Sequence, residues 1–131
     1  MTTRELSGLF YIKKLIKEDE ERIAVLEARA EGLSSAQDGM PHNPSHDTME
    51  RNVLALDAAR KRLERRKAEQ LKIEMEIEEL IDQTDNPQIQ LIMTYRFIRL
   101  MKWDEVAAQI GGGNTKDTVK KTFYRFLKKT Q

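Results

Sequence analysis

The sequence contains no cysteine in 131 residues. That excludes a disulfide framework, a thiol nucleophile and a thiolate zinc site. Chain-breaking residues are scarce as well, with 6 glycines and 3 prolines, which leaves room for long uninterrupted helices. No stretch approaches the ~18 apolar residues of a membrane span, and the opening "MTTRELSGLF" lacks the apolar run of a signal peptide. A cytoplasmic protein with no membrane contact is the expectation. Catalytic signatures are also missing: there is no triad, no P-loop, and paired carboxylates such as Glu78 and Glu79 fall on an exposed helix with no pocket. The two histidines, His42 and His46, are separated by Pro44 in a polar loop with no further His or Cys to complete a metal site. Neither an enzyme nor a cofactor is expected.

What the chain does have is charge. Charged residues make up 34% and hydrophobic ones 39%, with Glu, Lys, Arg, Leu and Ala abundant. This mix is thin in apolar content for a compact globule and suits long helices washed by solvent. The net charge of +1 conceals an asymmetry. Residues 86–131 hold 9 Lys/Arg against 3 Asp/Glu, and residues 1–85 hold 14 against 19. A basic module follows an acidic one, so a polyanion would meet the C-terminal part.

Residues 3–33 carry Leu9, Ile12, Ile16, Ile23, Leu26, Ala30 and Leu33 at alternating spacings of three and four, with Asp19 alone breaking the series. This narrow stripe fits packing against one other helix. Residues 34–48, with Gly39, Pro41 and Pro44, read as a loop. A second long helix is expected from Asp47 and Thr48, either able to cap it, to about Asp85, where "TDNP" ends it because Pro87 disfavours helical geometry at Asn86. Val53, Leu56, Leu63, Ile77 and Ile81 are its candidate inward positions, with a centre sparse in apolar residues.

The run "RKRLERRK" over residues 60–67 invites a nucleic-acid reading. If the two helices fold back antiparallel near residue 41, residues 61–64 face "EDEE" at residues 18–21, and the basic run finds its partners inside the molecule. A hairpin of about 30 residues spans ~45 Å. So thin a structure is not held by burial alone, and pairing with another chain is expected, a homodimer being favoured.

After Pro87 the pattern changes to three short helices. Residues 88–101 have a broad apolar face, "WDEVAAQI" gives two turns, and "TKDTVKKTFYRFLKKT" follows "GGGN", with Val119, Phe123 and Leu127 facing inward. Asn114, with Asp117, is the expected cap of this last helix. Two helices joined by a short glycine turn, the second basic on its outer face, describe a helix-turn-helix. Ala107 is small where the helices must approach, and the glycines permit positive φ. Lys116, Asp117, Thr118, Lys120, Lys121, Thr122, Arg125 and Lys128 are the candidate DNA-binding residues, Lys116, Asp117, Lys120 and Lys121 best suited to the groove. Of the aromatics, Tyr95, Phe97, Trp103, Phe123 and Phe126 are expected in the core and Tyr124 outside.

The segment "LIMTYRFIRLMKWDEVAAQIG…TVKKTFYRFLKK" resembles the promoter-reading fourth region of bacterial sigma factors, with Trp103, Glu105, Val106, Ala107, Gly111, Val119, Arg125, Leu127 and Lys128 on that pattern. The whole chain, with "GMPHNPSHD" in its loop, is similar to small phage- and prophage-encoded proteins related to RinA/ArpU-type late transcription regulators. Gly111 stands eight residues before Val119, where the sigma pattern has six, and Lys102 stands where Ser or Thr usually caps. The sigma regions that bind core polymerase and melt the −10 element have no counterpart here, which implies an accessory regulator.

Together these readings give an all-α protein. Residues 1–85 form a long antiparallel, coiled-coil-like helical hairpin for oligomerisation or partner binding, and residues 86–131 form a small helix-turn-helix bundle that binds double-stranded DNA. The resemblance implies a phage or prophage transcription regulator acting in the bacterial cytoplasm, with RNA polymerase a further partner for the hairpin. Two alternatives remain open: a phage terminase small subunit that recognises packaging DNA, and a helical protein-interaction module that binds no DNA.

Overall fold

The computed structural model describes residues 1–35 and 46–130, and every regular element among them is helical. Helix α1 (Thr3–Leu6) leads into α2 (Gly8–Ser35), and α3 (His46–Asp82) returns antiparallel to it. Then come α4 (Pro87–Met93), a π-helical continuation over Thr94–Ile98, α5 (Trp103–Ile110) and α6 (Lys116–Thr130). The fold is an all-α helical hairpin followed by a small helix-turn-helix bundle. Helix α3 begins at His46, so Thr48 lies inside it, and it ends at Asp82, three residues short of expectation. Residues 36–45, and with them most of the anticipated loop, His42 and the side chain of His46, lie outside the described residues.

The chain condenses into two compact units, Met1–Tyr11 with Gln70–Gln131, and Ile12–Glu69. Burial gives the reason. Leu6, Leu9 and Ile77 are fully enclosed, which a two-helix stripe alone does not achieve, and Leu6 and Phe10 share a cavity with Phe97 and Leu100.

In the Ile12–Glu69 unit the stripe is as narrow as the spacing implies. Ile12, Ile16, Asp19 and Leu26 are buried along α2, and Ile23 is half-buried. Along α3 the covered positions are Leu56, Ala59, Leu63 and Arg66, at spacings of three and four. Val53 is not on this stripe: it is 66% exposed, and the half-buried Asn52 takes the position one residue earlier. The sparse centre of α3 is thus explained, because a small Ala59 and a charged Arg66 hold two seam positions.

Asp19 does not interrupt the seam; it is part of it. Its Oδ1 accepts a hydrogen bond from Arg66 Nη1 at 2.6 Å, while its Oδ2 is buried without a partner. Arg66 sits one turn beyond the residues expected opposite "EDEE", because helical side chains lean toward their own N-terminus and a long arginine reaches back. Arg60 pairs with Glu27 at 3.1 Å and Lys61 with Asp57 at 3.0 Å. Among the described residues Arg62, Arg65 and Lys67 make no ion pair, so the basic run is neutralised only in part.

In the other unit, α1 is closed by a capping box in which Thr2 accepts from the Glu5 amide and Glu5 from the Thr2 amide, both at 3.2 Å. Helix α4 starts on Asn86, whose Oδ1 accepts from the amides of Gln88 and Ile89, with Pro87 as its first residue. That is the position where a missing amide proton costs nothing. Helix α6 packs on α4 and α5. Ile89, Ile92, Met93, Phe97, Trp103, Val106, Ala107, Val119, Phe123 and Leu127 make the core.

The helix that contains Phe97 ends in a way the sequence does not announce. Arg99 N bonds Thr94 O across a π turn, and Met101 N bonds Tyr95 O at 3.0 Å. Leu100, between them, has φ of 58°, the one positive φ outside glycine among the described residues. Such a helix ending usually takes glycine at this position, since a side chain there is strained.

Candidate nucleic-acid interface

The candidate residues are carried by α5, the turn and α6. Lys102 precedes α5 in extended conformation without a side-chain cap, and Asp104 and Glu105 in the first turn complement the helix dipole instead. Helix α5 ends at Gly111 (φ 72°, ψ −153°), and Gly112 and Gly113 follow with φ of 66° and 78°. Three consecutive residues in left-handed backbone explain why three glycines occur together. The Gly111 geometry in particular belongs to a region closed to residues with a Cβ.

Asn114 does not cap α6. Its Nδ2 donates to Gly111 O at 2.8 Å and braces the turn. Thr115 is the cap. Its Oγ1 accepts from the Thr118 amide at 3.3 Å, and Thr118 Oγ1 accepts from the Thr115 amide at 2.7 Å. The reciprocal pair that sequence reasoning gave to Asn114 and Asp117 is shifted by one residue, because the turn spends Asn114 on its own closure.

This assignment redistributes the candidate residues. Thr118 is consumed by capping, and Thr122 Oγ1 donates to Thr118 O at 2.9 Å. Both hydroxyls are therefore occupied within the helix. Lys116 is exposed at the first position of α6. Asp117, Lys120, Lys121, Arg125 and Lys128 are brought together around one shallow depression, and Tyr124 joins them. These six recur at spacings of three, one and four, the signature of a single helix face. The opposite face is sealed: Val119 and Phe123 are fully buried and Leu127 nearly so.

Tyr124 was legible as an exposed aromatic but absent from the candidate set, although its spacing from Lys120 and Lys121 belongs to the same face. It is 44% exposed. Its ring lies 6.3 Å from Trp103 and 5.5 Å from Phe123. Phe123 in turn stands 5.1 Å from Phe97 and 6.0 Å from Trp103. A half-exposed ring among four cations is thus backed by a rigid aromatic cluster. Of the aromatics expected inside, Phe97, Trp103 and Phe123 are buried, while Tyr95 and Phe126 are half-buried.

Among the described residues no helix is long and apolar enough to cross a membrane, and no group of three His, Cys, Asp or Glu could hold a metal ion. No protein family, curated protein or solved structure matches the chain.

Proposed function

We propose that this chain binds double-stranded DNA through the Asp117–Lys120–Lys121–Tyr124–Arg125–Lys128 face of α6 and regulates phage or prophage transcription. The observation that supports the reading most is the division of α6 into a fully sealed apolar face and an opposite face with four cations, one carboxylate and one aromatic. Lysines and Arg125 supply phosphate affinity, and Asp117 can accept from a cytosine amino group in the major groove. The regulatory role rests on the resemblance of residues 86–131 to the sigma promoter-reading region, and its phage setting on the resemblance of the whole chain to RinA/ArpU-type regulators.

The Ile12–Glu69 unit pairs two copies in this reading. Its buried seam is thin, yet Leu15, Val25, Val53 and Leu54 are between 42% and 66% exposed. Two linked modules bind far more tightly than one, without any new contact. Sedimentation equilibrium should give twice the chain mass, and a monomer at all concentrations would remove the linkage.

The test of DNA binding is a titration of labelled duplex at several salt concentrations. If Lys120, Lys121, Arg125 and Lys128 each meet a phosphate, affinity should fall about a hundredfold between ~50 and ~200 mM salt. Lys120→Ala/Lys121→Ala should weaken binding and flatten that dependence by about two phosphate equivalents. Absence of binding at low salt, or an unchanged double variant, would refute the assignment.

A further inference from the structure

A second site lies away from the basic face of α6. Leu6, Ser7, Phe10, Tyr11, Arg96, Phe97, Leu100 and Lys102 line a partly open cavity of about 310 Å³. Its volume falls at the small end of the roughly 300–1,000 Å³ typical of ligand pockets. The body is apolar and aromatic. Ser7 and Tyr11 bring hydroxyls, and Arg96 and Lys102 bring positive charge. No acidic residue lines it, and among the described residues neither cation has an ion pair. Arg96 is held in place rather than neutralised: its Nη1 donates to Met101 O at 2.8 Å and its guanidinium lies 5.0 Å from the centre of the Trp103 ring. Its remaining N–H donors stay available.

Three backbone irregularities converge on this cavity. Ser7 is the break between α1 and α2, Arg96 and Phe97 belong to the π-helical turn, and Leu100 is the strained residue that follows it. Single π turns recur at functional sites, and strained backbone persists where surroundings demand it. The choice of residue at 100 is informative. Glycine would end the helix without strain, whereas leucine contributes an isobutyl wall to the cavity.

We propose that this cavity binds a small carboxylate with an aromatic or branched aliphatic body. The apolar walls take the body, and Arg96 and Lys102 take the carboxylate, with Ser7 and Tyr11 available as further donors. Charge complementarity sets the class: a cation would meet two cations, and a neutral apolar ligand would leave both without a counter-charge. The inference does not depend on DNA binding.

The test is an NMR titration of the ¹⁵N-labelled full chain with 3-phenylpropionate, and with 3-phenylpropionamide as its uncharged counterpart. The carboxylate should give saturable shifts centred on Ser7, Tyr11, Leu100 and Lys102. The amide should bind about tenfold more weakly, as should Lys102→Glu toward the carboxylate, because a charge-assisted contact is lost. Leu100→Gly should bind more weakly still while its melting temperature is equal to or above that of the wild type, which separates a lost wall from a lost fold. Absence of saturable shifts, equal binding of acid and amide, or full binding by both variants would overturn the proposal.

Discussion

The two compact units differ in composition and are held together in different ways: all eight aromatic residues fall in the unit of Met1–Tyr11 with Gln70–Gln131, and none between Ile12 and Glu69. Between Ile12 and Glu69 the seam is one side chain wide, and a buried carboxylate–guanidinium pair occupies its middle. In the other unit Phe97, Trp103 and Phe123 interlock with Ile89, Ile92, Val106 and Val119 in a core several side chains deep. The lesson concerns where precision is stored. The aromatic core fixes the angle of a short basic helix, and the polar seam fixes which residues of two long helices meet.

The largest expected effect tests the core. Phe123→Ala removes a fully buried ring that three other aromatics touch. Urea unfolding should show a loss of about 3–5 kcal/mol. A loss below ~1 kcal/mol would mean that the bundle does not depend on this cluster.

The seam should respond differently. Asp19→Ala strands Arg66, whose side chain is 27% exposed, and should cost about 3 kcal/mol, the lower end for breaking a buried pair. Replacing both partners, Asp19→Leu/Arg66→Leu, should recover that loss or exceed it, because two apolar side chains need no desolvation. The orphaned Asp19 Oδ2 strengthens this expectation, since the native pair leaves one buried acceptor unsatisfied. We expect the double variant to gain stability and lose selectivity for one register, visible as additional species on analytical ultracentrifugation. Equal losses in single and double variants would show that the pair itself stabilises the hairpin.

A smaller effect tests the turn that carries α6. Gly111→Ala forces a Cβ into φ 72°, ψ −153° although nothing lies within 4 Å of it. The cost, about 1–3 kcal/mol, should therefore be conformational rather than steric. Crystallographic or NMR evidence of an unchanged turn with no stability loss would contradict it.

Much of this was readable in advance, and what escaped did so for physical reasons. Apolar spacing located both long helices and the three short ones, because burial periodicity is written directly in residue type. The seam through Asn52, Ala59 and Arg66 was not legible, since polar and small residues carry no hydrophobic signal; Val53 beside them misled for the same reason. Thr115 lost the capping role to Asn114 in sequence reasoning because nothing local reveals that Asn114 is committed to Gly111 O. That Met1–Tyr11 joins Gln70–Gln131 in one compact unit depends on which distant residues share a core. For the candidate interface, five of the eight residues fall on one face. Thr118 and Thr122 are two of the others, and their hydroxyls are taken by the helix they sit on.

The comparison between the units leads to one decisive measurement. Each unit offers exposed cations: Lys121 and Arg125 on α6, Arg62 and Arg65 on the hairpin. Duplex DNA binding should be measured across a salt series for Lys121→Ala/Arg125→Ala and for Arg62→Ala/Arg65→Ala, which remove equal charge. The α6 variant should lose affinity and about two phosphate equivalents of salt dependence, with the hairpin variant close to wild type. Equal losses would reduce DNA binding to general electrostatics, and a loss confined to the hairpin variant would transfer the interface from α6 to α3.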